Sequence, residues 1–187
     1  MRTTFSAVVL AGGQSTRMGR PKADIEVGGI PLWRRQVDLV AGLNPSKLMI
    51  SVGEGWMPAD GRWTVVRDRV PGLGPLGGIQ AALGSMSADF LLVLAVDMPS
   101  MSRGFLERLI KLAGTKGVVP EENGAYEGLA AIYPGSIGPI VDEALGREDR
   151  SLQSMIRRAI AERLVEALPI AEQEKPLFRN VNSPADL

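Results

Sequence analysis

The chain of 187 residues contains no cysteine and no histidine. Without thiols it forms no disulfide and offers no thiol nucleophile. Without imidazole it has no imidazole base and no histidine-held metal. Any cation would be held by carboxylates, amides, hydroxyls or carbonyls, a donor set suited to Mg²⁺. An excess of either charge is also missing, with 21 basic residues against 21 acidic. That balance argues against sequence-independent binding of nucleic acid, which needs a basic excess; a small anionic ligand needs only a few placed cations. No apolar run approaches the length of a membrane span. Arg2 followed by Phe5–Leu10 imitates the start of a signal peptide, but the run is short and leads straight into a polar loop, so a cytoplasmic location is expected. There is no repeat, low-complexity tract or linker, and the length suits one domain, 1–187, with a sizeable core.

What is present is organised around Val8-Val9-Leu10-Ala11-Gly12-Gly13-Gln14-Ser15-Thr16-Arg17-Met18-Gly19-Arg20-Pro21-Lys22. An apolar run ends in a double glycine, and a polar loop with three cations follows. A strand followed by glycines brings backbone amides up to a phosphate, because no Cβ blocks the approach. Arg17 and Lys22 would add full positive charge where a triphosphate lies, Arg as a bidentate contact and Lys as a point charge; Arg20 reads as peripheral. The spacing matches neither G-x-G-x-x-G nor the P-loop. On chemistry alone the stretch is a third kind of nucleotide loop or a plain turn carrying solvated charges.

Phe5–Leu10 is apolar on both faces, as a buried parallel strand is. Ala23–Val27 reads as a short extended piece turned by Gly28-Gly29. Pro31 opens a helix to about Leu43, with Trp33, Val37 and Val40 on one face. Strands are expected at Lys47–Val52, Trp63–Val66 and Asp89–Val96, the last the most apolar and therefore central. Pro75 starts a helix to about Ser85, in which Gly77 and Gly78 allow close approach to a strand or a ligand. Ser102 caps a helix that turns Phe105, Leu106, Leu109 and Leu112 inward. Gly117–Pro120 and Leu129–Tyr133 read as strands around a turn at Glu121–Gly124. Ile137–Leu145 reads as a helix, Ser151 caps an amphipathic one, and Arg163–Leu168 is a strand. Pro169–Pro176 reads as a loop, Phe178–Val181 as a last strand, and Ser183-Pro184 as a helix start. The alternation implies an α/β fold, a doubly wound, mostly parallel sheet with helices on both faces, which binds ligands beyond the carboxyl ends of its strands.

Gly12-Gly13, Ser51, Asp68 and Asp97 each stand at such an end. Asp97, just past the central strand, is placed either to ligate Mg²⁺ or to start the turn before Pro99. Asp68 could accept from a base or ribose, or pair with Arg67. Asn180 and Asn182 share a face if extended, to orient a ligand or to cap a turn. Arg150, alone before a helix cap, either helps to bind an anionic acceptor or is simply solvated.

Leu-Ala-Gly-Gly-x-Ser-x-Arg-Met-Gly with Lys22 resembles the signature loop of the nucleotidyltransferases that build molybdenum cofactor dinucleotides, and most closely the molybdenum cofactor guanylyltransferases, the MobA family. Gly74-Pro75-Leu76-Gly77-Gly78, Val96-Asp97-Met98-Pro99 and Asn180-Val181-Asn182-Ser183-Pro184 recur in that family's order, so the resemblance spans Val8 to Leu187. It implies a Rossmann-like nucleotidyltransferase fold and transfer of GMP from GTP to the terminal phosphate of molybdenum-bound molybdopterin. It further implies Asp97 as the Mg²⁺ ligand and Lys22 with Arg17 on the phosphates. Nucleotide contacts would come from Leu10, Ala11, Gly12, Gly13 and Asp68, and the acceptor side from Asn180 and Asn182. Ser51 stands where the family often has Asn and offers no amide pair. Related cytidylyltransferases show Leu-Ala-Ala-Gly, and the second glycine, Gly13, is read as leaving room for a purine. The alternatives are a CTP-dependent enzyme or another small nucleotidyltransferase of the same fold, and a non-catalytic nucleotide-binding protein. A monomer or weak homo-oligomer is expected.

Overall fold

The computed structural model describes residues 3–12, 21–53, 55–58, 61, 63–68, 72–147 and 150–181. The chain runs β1 (Phe5–Leu10), β2 (Glu26–Val27), β3 (Ile30–Pro31), α1 (Leu32–Ala41), β4 (Leu48–Val52), β5 (Thr64–Arg67), α2 (Gly74–Leu83), β6 (Phe90–Ala95) and α3 (Arg103–Leu112). It continues through β7 (Gly117–Glu122), β8 (Ala125–Tyr126), β9 (Ala130–Pro134), α4 (Gly138–Gly146), α5 (Leu152–Ala161) and β10 (Val165–Pro169). The main sheet has the order β10-β7-β9-β6-β1-β4-β5, with β8 paired to β7, and β2 and β3 form a separate two-stranded ribbon. The most apolar strand, β6, is the middle one, as its composition requires.

Alternation along each strand assigns the two faces. Phe5, Ala7 and Val9 of β1, with Phe90, Leu92 and Leu94 of β6, pack under α1 and α3 against Trp33, Val37, Val40, Phe105, Leu106 and Leu109. Val8, Leu91 and Val93 face the other way, onto Leu76 and Ile79 of α2, Ile140 and Val141 of α4, and Met155 and Ile156 of α5. The result is a sheet between two helical layers.

Pairs β1–β4, β1–β6, β4–β5 and β7–β10 are parallel. Strand β9 runs antiparallel to both β6 and β7. The sheet is therefore mixed; β8 is also antiparallel to β7, but it is the reversal of β9 that matters for the site. Between β7 and β8 the turn falls on Asn123 and Gly124, with φ of 50° and 81°. Two successive positive-φ residues, Asn then Gly, make the tight hairpin that lets β7 run to Glu122 instead of stopping at Pro120.

Four further expectations need correction. Only the second half of Ala23–Val27 is extended, as β2; residues 22–24 form a 3₁₀ turn, because Asp24 and Ile25 donate back to Pro21 and Lys22. Leu112 is half-exposed at the last turn of α3, since the inward stripe ends at Leu109. Residues 172–178 are a 3₁₀ helix rather than a loop, started by the Glu174 carboxylate accepting from the Ala171 amide at 3.1 Å. Residues 178–181 are not a strand; Phe178 packs on the core beside Phe105, and the Val181 amide donates to the Asp97 carbonyl at 2.9 Å. The helix start at Ser183-Pro184 lies outside the described residues.

Candidate active site

Asp97 is the first partly exposed residue beyond the end of the central strand. Val96 donates to the Leu10 carbonyl at 3.0 Å, which extends the β1–β6 pairing to the residue before it. The turn that follows is held from below by α1. Gln36 donates its amide to the Met98 carbonyl at 2.5 Å and Arg35 its Nε to the Pro99 carbonyl at 3.0 Å. Gln36 is almost wholly buried, and among the described residues its Oε1 has no hydrogen-bonding partner. Lys22 opens the 3₁₀ turn, anchored by buried Ala23 and by Asp24, whose two carboxylate oxygens each accept from the Trp56 indole N–H at 3.0 Å. These two frameworks bring Lys22 Nζ to 2.6 Å from Asp97 Oδ2, with both side chains about one-fifth exposed.

The other half of the edge is built by absent side chains. A Cβ on Gly12 would stand 2.9 Å from the Gly53 amide nitrogen, so only glycine lets the loop after β1 lie against the loop after β4. A Cβ on Gly77 would stand 2.6 Å from an Asp68 carboxylate oxygen, and one on Gly78 would stand 2.7 Å from Ser51 Oγ and 2.9 Å from Leu10 Cδ2. The first turn of α2 thus lies directly on the ends of β1, β4 and β5. Ala11 donates to the Ser51 carbonyl at 2.8 Å. Ser51 is buried. Burial pushes the Asp68 carboxyl pKa up, because the charged form loses water there.

Leu10, Ala11, Gly12, Lys22, Ser51, Asp68 and Asp97 therefore share one edge of the sheet. Asn180 is exposed, next to the Val181 contact that ties its segment to Asp97. Gly13, Arg17, Arg20 and Asn182 lie outside the described residues. Aligning Leu-Ala-Gly-Gly with Leu-Ala-Ala-Gly puts the difference at Gly12, not Gly13, and the space a side chain would fill there is taken by the Gly53 backbone. Arg150 is exposed in the turn before α5, with φ of 39°.

Two groups escape a reading of the sequence. Gln36 holds up the Asp97 turn; the available signal is a polar residue at an apolar position of the Trp33–Val37–Val40 stripe. Glu127 is half-buried in the connection before β9. Its carboxyl pKa is raised by burial first, then by the charges of Glu122 and Asp97.

Beyond the central strand a glycine-lined edge pairs an ammonium with a carboxylate, and the sheet with its helices is that of the nucleotidyltransferases. The sequence profile of the MobA-like NTP transferase domain matches residues 7–166. A probable molybdenum cofactor guanylyltransferase of Opitutus terrae is 33% identical, the alignment covering 98% of this chain and 93% of that one. Among solved structures, molybdopterin-guanine dinucleotide biosynthesis protein A from Archaeoglobus fulgidus superposes with a TM-score of 0.76 at 24% identity, covering 97% and 94% of the two chains. The 2-C-methyl-D-erythritol 4-phosphate cytidylyltransferase of Thermus thermophilus has the same fold, with a TM-score of 0.71 at 18% identity over 100% and 95%. The chain is a nucleotidyltransferase. It belongs to the MobA-like NTP transferase family.

Proposed function

We propose that this chain transfers the GMP unit of GTP to the terminal phosphate of a molybdopterin-type acceptor and releases pyrophosphate. The observation that carries the reading is the Lys22–Asp97 contact of 2.6 Å at the carboxyl edge of the sheet, in a family whose curated relatives are named for this guanylyl transfer. The acceptor phosphate oxygen attacks the α-phosphorus of GTP in line, and the bond to the bridging oxygen of the β-phosphate breaks. The nucleophile is already ionised, so the reaction asks for position and charge compensation rather than a strong base. That agrees with a chain that has no histidine.

Lys22 would neutralise phosphate oxygens, and the Gly12 amide, at the start of the loop after β1, would reach the same group. Among the described residues no cluster of three or more acidic side chains could enclose a cation. A lone carboxylate such as Asp97 still suits Mg²⁺, which is commonly held by one or two carboxylates together with substrate phosphates. Bound there, Mg²⁺ would supply Lewis-acid stabilisation of the charge that develops on the phosphates. Asp68, only partly buried, lies on the nucleotide side, where a base or ribose can meet its carboxylate, whereas Ser51 is buried beneath α2 and shapes that side from below. Among the described residues no helix is long and apolar enough to cross a membrane, which is compatible with a cytoplasmic enzyme.

Calorimetry with GTP, CTP and ATP, each with and without Mg²⁺, tests the assignment. Binding of GTP should exceed that of CTP and ATP and should require Mg²⁺. Equal affinity for the three nucleotides removes the guanylyl assignment, and a preference for CTP moves the chain to the cytidylyl branch.

A further inference from the structure

Glu127 stands at this edge with no role in the reading above. Its backbone is fixed on every side. Its amide donates to the Pro120 carbonyl at 2.8 Å, and its carbonyl accepts from Ala130 at 3.1 Å. The next residue, Gly128, has its carbonyl bound by the buried Tyr133 hydroxyl at 2.8 Å. Leu129 then accepts from Ala95 at 2.7 Å, which brings this connection alongside the end of β6, two residues before Asp97. The carboxylate itself is half-buried, and among the described residues no donor reaches it. Lys175, the cation bound to neighbouring Glu122 at 2.8 Å, also binds Glu172 at 2.6 Å.

A half-desolvated carboxylate without donors is costly, and it sits at an edge that must accept two phosphate-bearing substrates. The arrangement makes sense when a substrate brings the donors. Phosphates bring none. A neutral heterocycle with adjacent N–H groups brings two in parallel, the geometry a carboxylate accepts bidentately. The sheet order decides which substrate. Asp68 and Ser51 stand at β5 and β4, whereas Glu127 precedes β9, on the other side of β6. From β9 to β5 are four strand spacings, roughly 19 Å at about 4.8 Å each.

We infer that Glu127 is a specificity-determining residue for the acceptor: its carboxylate receives the paired N–H groups of a neutral 2-amino-4-oxopyrimidine edge, the edge a pterin presents, and so selects acceptors that carry that heterocycle. The inference rests on the guanylyl-transfer reading.

The test uses the full chain, its Glu127→Gln and Glu127→Asp variants, and molybdopterin as acceptor. Glutamine presents one acceptor and one donor, so one substrate N–H would face another N–H. Loss of that charge-assisted pair should raise the acceptor KM roughly ten- to hundredfold in Glu127→Gln. Glu127→Asp, which keeps the charge but not the reach, should fall between. Turnover at saturating acceptor, the Kd for GTP and the Mg²⁺ half-saturation should stay within about twofold in both variants. An unchanged acceptor KM overturns the inference. So does a loss confined to GTP affinity, which would assign the carboxylate to guanine, or one confined to Mg²⁺ dependence, which would make it a metal ligand. A wild-type chain that fails to bind GTP defeats the underlying reading and the inference with it, whereas normal GTP binding with a flat acceptor KM defeats the inference alone.

Discussion

The contact between α2 and the strand ends predicts that one substitution made at two glycines has opposite signs. Gly78 and Gly104 both lie in helices. Replacing a helical glycine with alanine relieves a backbone-entropy penalty of about 1 kcal/mol in a helix interior. At Gly104 the added methyl meets open space. It lies in the first turn, so a gain of about 0.5 kcal/mol is expected. At Gly78 the methyl would stand 2.7 Å from Ser51 Oγ, 2.9 Å from Leu10 Cδ2 and 3.3 Å from Ser51 Cβ. The two distal atoms can rotate, but Ser51 Cβ is fixed to a paired strand. Overpacking of this kind costs about 1–3 kcal/mol. Set against the propensity gain, Gly78→Ala should lose about 1 kcal/mol net. For a chain of this size each kcal/mol moves Tm by about 2–4 °C. Gly78→Ala should therefore melt about 2–4 °C below wild type and Gly104→Ala about 1–2 °C above it, by circular dichroism. Because the methyl also pushes α2 off the end of β4, Gly78→Ala should bind GTP more weakly while Gly104→Ala binds normally. If Gly78→Ala proves as stable as Gly104→Ala, α2 does not press on the sheet and the close-packed edge is misdescribed.

Asp97→Ala removes the partner of Lys22, yet a partly exposed ion pair contributes at most about 1 kcal/mol, so the fold should persist while turnover falls at least a hundredfold, roughly the loss seen for a removed transition-state contact; undiminished turnover would sink the metal role. Asp68→Asn has a pH signature. Burial holds the Asp68 carboxyl above its ordinary pKa, so the folded state binds that proton more tightly than the unfolded one. The stability it lends is fully present below the ordinary carboxyl pKa and is lost as pH rises from there through the folded value. The variant has no such loss and should melt above wild type at pH 7, with the gap closing on acidification; a gap that is constant with pH would show that the carboxylate is not desolvated.

The sequence was most informative where periodicity and end signals coincide. Phe5–Leu10 and Asp89–Val96 are apolar without alternation, and only a strand covered on both faces tolerates that. Ser102 and Ser151 announce their helices because each hydroxyl accepts from the amide three residues on, at 3.2 Å in both cases. Asp97 was legible because it directly follows the central strand, and Lys22 because it closes the cationic loop that follows the first strand. What stayed hidden depends on distant partners. Nothing near Gln36 tells that its amide meets Met98, 62 positions away. The 3₁₀ helix at 172–178 is favoured by contacts the local sequence does not contain, among them Arg108 gripping Glu174 with two bonds of 2.6 and 3.2 Å.

The direction of β9 explains why Glu127 was missed. In a wholly parallel sheet the segment before a strand lies at the amino edge, away from the ligand. Under that assumption Glu127 would stand a full strand length from Asp97. Because β9 is reversed, Ala130 pairs with Leu94 at the carboxyl end of β6, and the residues just before it arrive at the ligand side. The same reversal lets β7 and β10 keep the orientation of β6, so Glu122 and the chain after Pro169 also end at this edge. Val181 then closes on the Asp97 carbonyl. The edge is thus supplied from two sources. Parallel strands β1, β4 and β5 bring the glycines, Ser51 and Asp68, and the reversed strand with its neighbours brings Glu122, Glu127 and the Asn180 segment, with Asp97 at the seam. An enzyme joining two different phosphate-bearing molecules needs two unlike half-sites around one shared charge centre, and the reversal of β9 along the path β10-β7-β9-β6-β1-β4-β5 brings two unlike groups of residues to one edge.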